Sequence, residues 1–185
     1  LLYSRFWYKA LYDLKLVPGP EPYKRRVSQG MILAEDGQKM SKSFGNVVNP
    51  DEVVDKFGAD AVRMYEMFMG PYDQAINWST DGLRGVKRFM DKLLKLFNEK
   101  KEGNVENILN KTIKKVTEDI ENLRFNTAVS QLMIFVNEAS EKGLSKKDFE
   151  KFIIILSPFA PHLAVELWEK LGHKESIFKE KWPSF

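Results

Sequence analysis

The sequence contains no cysteine, and only two of its 185 residues are histidine. The absence of thiols excludes a disulfide scaffold, a thiolate metal site and a cysteine nucleophile, and it fits a cytoplasmic protein best. His162 and His173 are too few and too isolated to form a metal site or a catalytic relay. We therefore expect no metal site, and we interpret His162 as a structural residue.

The sequence also lacks a long apolar run and a strong charge of one sign. No stretch approaches the roughly 20 apolar residues that a membrane span requires, so we expect no membrane partner. The net charge is only +3, which by itself does not indicate nucleic-acid binding. With 43% hydrophobic and 30% charged residues, the chain can bury a core and is not expected to be disordered.

The opening segment predicts a helix. Apolar side chains recur at near-helical spacing from Leu2 to Leu14, and the proline-rich segment at residues 18–22 ends the pattern. The chain begins with Leu1, inside this predicted helix, and not with methionine. We therefore expect the chain to be a fragment of a longer protein.

The next segment predicts one strand and two short helices. Residues 30–34 have the pattern of a short buried strand that enters a loop. Capping and proline signals predict a helix from Asn49 to about Phe57 and a second from Asp60 to Gly70, with Asp60 and Arg63 as a neighbouring charge pair. A loop is expected to follow, through Trp78, which we interpret as a packing residue.

Helical periodicity dominates the second half of the chain. Each predicted helix follows a plausible N-capping residue, and the helices are expected to begin near Thr80, Asn104, Asn126 and Ser145. Prolines interrupt the chain before a last predicted helix from His162 to Leu171. The sequence thus predicts a mainly α fold with a helical bundle in its second half.

A short basic segment is the strongest candidate for chemistry. Lys39 and Lys42 are interleaved with Ser41 and Ser43, and glycines flank the segment. Ammonium groups and hydroxyls bind phosphate oxygens, so the pattern indicates a polyphosphate clamp that acts by positioning and electrostatic stabilisation. A generic pair of lysines three residues apart is more often ordinary solvated surface, but the whole five-residue pattern is much more specific.

The segment Lys39-Met40-Ser41-Lys42-Ser43 resembles the signature loop of class I aminoacyl-tRNA synthetases, which closes over ATP during amino acid activation. The resemblance implies that Lys39 and Lys42 are catalytic and that all five residues, including Met40, Ser41 and Ser43, bind ATP. Mg²⁺ is expected to accompany ATP as part of the substrate complex. Phe44 stands where the family usually has a further lysine, so a third cationic contact is not carried over.

The resemblance extends beyond the signature. Residues 46–50 and 58–63 are usual in the leucine, valine and isoleucine enzymes, whereas residues 1–6, 67–71 and 78–89 are similar to the leucine branch. This branch activates leucine to leucyl-adenylate and transfers it to tRNA(Leu), so the implied partners are ATP, tRNA(Leu) and, through an absent part of the enzyme, leucine. Enzymes for valine, isoleucine or methionine, and a non-catalytic helical RNA-binding module, remain alternatives.

The resemblance also implies a domain organisation. Residues 1–78 would be the C-terminal part of the catalytic domain, a remnant of an α/β nucleotide-binding (Rossmann-type) fold, and residues 79–185 an anticodon-binding-type α-helical bundle. The His-x-Gly-His type motif of the family's first half is absent from the sequence. We therefore expect the fragment alone to be inactive.

The helix predicted after Thr80 has a basic face opposite its apolar stripe. Five cationic residues share this face: Arg84, Lys87, Arg88, Lys92 and Lys95. Such a face can contact phosphates of tRNA, or it can be an ordinary solvated helix surface. With the family resemblance, the tRNA-binding interpretation is preferred.

Overall fold

The computed structural model describes residues 1–99 and 101–185, and within them the fold is mainly helical, as predicted. None of the helices described combines the length and the apolarity that crossing a bilayer requires. In chain order the elements are α1 (Leu2–Asp13), β1 (Ile32–Leu33), α2 (Pro50–Phe57), α3 (Ala59–Phe68), β2 (Ile76–Asn77), α4 (Thr80–Glu99), α5 (Glu106–Glu121), α6 (Phe125–Lys142), α7 (Lys146–Leu156) and α8 (Pro161–Lys170). Short 3₁₀ turns cover Lys42–Phe44 and Ile177–Lys179.

The predicted helix starts in the second half are confirmed to within two residues, as α4 to α8. Their apolar faces meet in one core, in which the rings of Phe135 and Phe152 stack with centroids 4.6 Å apart. Helix α3 belongs to the same core, because it packs against α4, α6 and α8. By contrast, α1 contributes no buried residue, and Leu2, Tyr3 and Phe6 are exposed.

The sheet differs from the prediction. The strand expected at residues 30–34 is reduced to Ile32–Leu33 and is not buried, since Ile32 is 37% exposed. The segment expected to be a loop through Trp78 contains β2, which pairs in parallel with β1 so that Ile32 lies opposite Ile76. A two-residue strand is too short to leave a periodic pattern, so only the tertiary pairing reveals it.

The predicted charge pair between Asp60 and Arg63 is wrong. The Asp60 carboxylate, 6% exposed, accepts hydrogen bonds from His162 Nδ1 and from the N–H of Leu163, both at 2.7 Å. The Arg63 guanidinium donates to the Pro158 carbonyl from Nε at 3.1 Å and from Nη2 at 2.9 Å. Local sequence pattern cannot reveal hydrogen-bond partners about a hundred positions away. The structural role predicted for His162 is confirmed by its hydrogen bond to Asp60.

A buried carboxylate fixes the turn between α5 and α6. Asp119 is fully buried and accepts hydrogen bonds from Lys115 Nζ, from Arg124 Nε at 2.8 Å and from Thr127 Oγ1 at 2.6 Å. Burial alone raises the pKa of this carboxyl, but the hydrogen bonds from Lys115, Thr127 and Arg124 outweigh burial and hold the pKa below its ordinary value. The turn therefore depends on the charged form of Asp119.

We expect Asp119→Asn to lower the free energy of unfolding by about 2–4 kcal/mol at pH 7. The amide has only one oxygen, so it cannot accept from both Lys115 and Arg124 as the carboxylate does. The folded pKa lies below the unfolded value of about 3.9, so the stabilisation is complete above that value and is lost as pH falls through the folded pKa. Chemical denaturation should therefore show the difference shrinking below about pH 4.

The control for this prediction is Glu118→Gln, which changes the exposed neighbouring residue on the same helix. We expect this variant to unfold like the wild type at pH 7. A loss of stability in Asp119→Asn that is equally large at pH 7 and at low pH would contradict the account.

Candidate functional site

The candidate site is built on a tight turn directly after β1. The N–H of Gly37 donates to the Ala34 carbonyl at 2.9 Å, and the N–H of Ala34 donates to the Gln38 carbonyl at 2.8 Å. Gly37 adopts a φ of 80°, in the left-handed region that glycine enters without strain. The chain thereby reverses direction, and Lys39 pairs with Leu33 as an antiparallel bridge.

The parallel pairing of the two strands determines at which end of the sheet this turn lies. Because β1 and β2 are parallel, the segments that follow them, residues 34–45 and 78–80, leave the sheet at the same edge. In open α/β sheets, ligands bind outside the carboxyl ends of the strands. The position of the turn is therefore typical of a ligand-binding loop.

Residues 39–43, which we call the signature loop, are held by the side chain of Asn46. Its Oδ1 accepts from the N–H of Ser41 at 2.8 Å, and its Nδ2 donates to the Lys39 carbonyl at 3.4 Å. The hydroxyls of Ser41 and Ser43 share a hydrogen bond of 2.7 Å, and Ser41 Oγ also accepts from the N–H of Ser43 at 3.3 Å. These bonds give the loop a compact shape without using the side chains of its lysines.

Both lysines of the signature loop are available for an anion. Lys39 and Lys42 are exposed, and neither forms an ion pair with any residue in the described part of the chain. Met40 between them packs partly against the core, whereas Phe44 is 71% exposed. A loop anchored by one apolar side chain and carrying two free ammonium groups can receive a polyphosphate.

An open cavity of about 560 Å³ lies beside the signature loop. Its walls come from the end of β1, from residues 45–48, from one face of α2 and from the start of α4. Neither Lys39 nor Lys42 lines it. The two lysine side chains are therefore not part of the lining of this cavity.

The start of α4 is held by the side chains of Tyr65 and Ser79, which were not among the predicted site residues. The N–H of Ser79 donates to Tyr65 Oη at 2.7 Å, and Ser79 Oγ accepts from the N–H of Gly82 at 3.2 Å. Burial raises the pKa of the Tyr65 hydroxyl, and the N–H of Ser79 offsets part of that rise. Trp78, 7% exposed, packs edge-on against Tyr65, which confirms its packing role. Ser79, a capping residue type before the predicted helix start, was recognisable from sequence.

Glu35 connects this helix start to the signature loop. Its Oε1 accepts from the N–H of Thr80 at 3.1 Å and from Thr80 Oγ1 at 2.9 Å. Glu35 stands four residues before Lys39. A single acidic residue carries no signal that would identify such a partner 45 positions away.

The basic face of α4 is less positive than its sequence indicates. Three of its cations pair with acids of the same helix: Arg84 with Asp81 at 2.6 Å, Lys87 with Asp91 at 3.2 Å, and Lys95 with Glu99 at 3.6 Å. Lys92 Nζ donates to Asn137 Oδ1 on α6 at 2.8 Å. Arg88 is exposed and, within the residues described, has no ion pair or side-chain hydrogen bond. Arg88 is thus the cation of this face most available to a phosphate.

No cluster of three or more histidine, cysteine, aspartate or glutamate side chains suited to a metal ion occurs in residues 1–99 and 101–185. The groups that the signature loop offers to a ligand are its two lysines, its hydroxyls and its backbone. Such groups bind and position an anion and stabilise charge that develops on it.

Known families match both parts of the chain. Residues 3–79 match the tRNA synthetases of class I (I, L, M and V), and residues 103–185 match the anticodon-binding domain of tRNA ligase. The chain therefore belongs to the class I tRNA synthetases of the isoleucine, leucine, methionine and valine group. This membership confirms the resemblance inferred from the signature loop.

Within that class, a leucyl enzyme is similar to the chain over its whole length. LeuRS of Agrobacterium radiobacter K84, solved as a ternary complex with tRNA and LeuAMS, is 33% identical over 100% of this chain, with a TM-score of 0.83. Methionyl-tRNA synthetase of Mycobacterium tuberculosis, bound by methionyl-adenylate, is 15% identical over 77% of this chain, with a TM-score of 0.59, and it shares the fold. The chain spans 27% of the leucyl and 37% of the methionyl protein.

Proposed function

We propose that this chain is part of a cytoplasmic leucine tRNA ligase, to which it contributes the ATP-binding signature loop and helices that dock tRNA(Leu). The observation that carries the proposal is a pair of exposed lysines, Lys39 and Lys42, on a turn at the carboxyl edge of the parallel strands. Neither lysine has an ion pair within residues 1–99 and 101–185. The 33% identity to a LeuRS over the whole chain supports leucine as the amino acid. We propose a domain boundary between residues 78 and 79.

In the first step of the proposed reaction, a carboxylate oxygen of leucine attacks the α-phosphorus of ATP. The bond between the α-phosphorus and the bridging oxygen breaks, which yields leucyl-adenylate and pyrophosphate. Negative charge grows on the departing pyrophosphate, and Lys39 and Lys42 stabilise it as fixed positive charges without taking part in proton transfer. Met40, Ser41 and Ser43 hold the loop in shape, and Mg²⁺ enters with ATP as part of the substrate complex.

In the second step, leucine passes from the adenylate to the terminal ribose of tRNA(Leu), and AMP leaves. We propose that the α4 face holds the tRNA by its phosphates through Arg84, Lys87, Arg88, Lys92 and Lys95. Since Arg84, Lys87 and Lys95 already have acidic partners, Arg88 is expected to contribute most. The fragment alone should be inactive, because it corresponds to 27% of the related LeuRS.

The proposal is tested by exchange of labelled pyrophosphate into ATP, using the full-length protein that contains this chain. Leucine, valine, isoleucine and methionine are supplied in turn, and the isolated chain is assayed alongside. Exchange with leucine alone supports the proposal. Exchange driven by another of the four amino acids would keep the enzyme class and discard leucine, and no exchange with any of them would favour a non-catalytic RNA-binding module.

We expect Lys42→Ala in the full-length protein to reduce leucine-dependent exchange by about a hundredfold, because a charge-stabilising contact to the departing pyrophosphate is lost. The affinity for leucine should stay within about twofold of the wild type, since the proposed role of the loop concerns only the phosphates of ATP. Lys111→Ala, which changes an exposed lysine on α5 away from the loop, is the matched control. Unchanged exchange in Lys42→Ala would contradict the role of the loop.

We expect Arg88→Ala to weaken tRNA(Leu) binding and to reduce the slope of log affinity against log salt by about one, because one phosphate contact is removed. Arg88→Lys keeps the charge and should retain most of the slope. Binding is measured by titration at several salt concentrations. A salt slope in Arg88→Ala equal to that of the wild type would show that Arg88 does not contact the tRNA backbone.

A further inference from the structure

The carboxylate of Glu35 binds Thr80 and so joins two separate segments of the candidate site. One carboxylate oxygen accepts both the backbone N–H and the hydroxyl of Thr80, at 3.1 Å and 2.9 Å. Thr80 opens α4, where free N–H groups and the helix dipole favour a negative charge. The contact therefore ties the segment that leads into the signature loop to the first turn of a long helix.

The receiving end of this contact is rigid. Thr80 Oγ1 also accepts from the indole Nε1 of buried Trp78 at 3.4 Å, and the adjacent Ser79 is bound to Tyr65 Oη at 2.7 Å. Helix α4 approaches α3 closely here, because a Cβ on Gly82 would lie 2.8 Å from Tyr65 Cε2. Thr80 is thus fixed to the core, and a side chain that binds Thr80, such as Glu35, is held in a defined position relative to the core.

The other end of the contact is the turn that carries the lysines. Among residues 35–39 of the described chain, only Glu35 has a side-chain hydrogen bond to another element, since the carboxylate of Asp36 bonds within the turn to the N–H of Gln38. The next side chain that packs on the core is Met40. Besides the backbone bonds to β1 and the packing of Met40, Glu35 is therefore the contact that ties the turn to the core.

The same contact determines where the negative charge of Glu35 lies relative to the lysines of the signature loop. A carboxylate four residues before Lys39 would repel a polyphosphate if it were free to approach it. Binding to the positive end of α4 keeps the charge of Glu35 directed at Thr80.

We infer that Glu35 is a positioning residue for the signature loop: through Thr80 it sets the direction in which the turn presents Lys39 and Lys42 to the phosphates of ATP. This inference rests on the proposed function. In this role Glu35 acts through the geometry of the lysines and not through a contact of its own with ATP. The signature of such a role is a selective loss of ATP binding.

The test uses the full-length protein and leucine-dependent exchange of labelled pyrophosphate into ATP. We expect Glu35→Ala to raise KM for ATP by about tenfold, the effect of losing hydrogen bonds to a charged group, and to leave KM for leucine within about twofold. Glu35→Gln keeps an oxygen that can accept both Thr80 donors, and it should restore KM for ATP to within about threefold of the wild type. Asp55→Ala, an exposed acid on α2, is the matched control and should behave as wild type.

A second variant guards against simple misfolding. Thr80→Val replaces the hydroxyl by a methyl group, removes its bonds to Glu35 and Trp78, and should raise KM for ATP by about threefold. Adding Glu35→Ala should then increase KM by less than the product of the single effects. Thermal unfolding of each variant provides the structural readout. A merely structural role would lower Tm and affect both substrates alike, and that result would overturn the inference.

The outcomes separate the inference from the proposed function. A wild-type protein that shows no leucine-dependent exchange overturns both, because the inference depends on the function. A wild-type protein that is active, with an unchanged KM for ATP in both Glu35→Ala and Thr80→Val, overturns the role of Glu35 alone. A selective rise in KM for ATP, restored by Glu35→Gln, supports it.

Discussion

The buried carboxylate of Asp60 is the contact on which the arrangement of the molecule depends. One oxygen meets His162 Nδ1 and the other accepts the N–H of Leu163, in the first turn of α8. A buried carboxylate without these partners would be costly, so α3 cannot separate from α8 without loss of stability. Arg63, one turn further along α3, adds two hydrogen bonds to the carbonyl of Pro158. Helix α3 is thereby joined to the last part of the helical bundle.

The same helix holds the other side of the structure. Tyr65 on α3 binds the N–H of Ser79, and the following residue, Thr80, receives Glu35 at the start of the turn that leads to the signature loop. A continuous series of hydrogen bonds and packed side chains therefore runs from α8 through α3 to the loop. This connection explains how a loop with exposed lysines keeps a defined position on a sheet of only two short strands.

Local pattern predicted most of the fold because the helices carry their own signals. The capping residue Ser145 and the apolar spacing within α4 located these helices to within one residue. Strand β2 was missed because its pairing with β1 joins segments more than forty residues apart and leaves no periodicity in Ile76–Asn77. The apolar run at residues 30–34 predicted β1, whereas β2 and the pairing of the two strands are products of tertiary structure.

The candidate site shows the same division. The signature loop was recognisable because Lys39 to Ser43 form a compact, specific pattern, whereas the residues that hold the loop are single polar side chains with distant or backbone partners. Asn46 acts through backbone groups of Lys39 and Ser41, and Glu35 acts through Thr80. The roles of the loop lysines and of the α4 cations remain predictions.

Residue-resolved amide hydrogen exchange in Asp60→Ala tests most directly whether α3 joins the two sides into one unit. The account predicts faster exchange, by about tenfold, at Leu163, which loses its acceptor, and also at Ser79, whose acceptor Tyr65 lies on the same helix. Faster exchange at Leu163 with an unchanged rate at Ser79 would mean that the two sides open independently, and it would contradict the account.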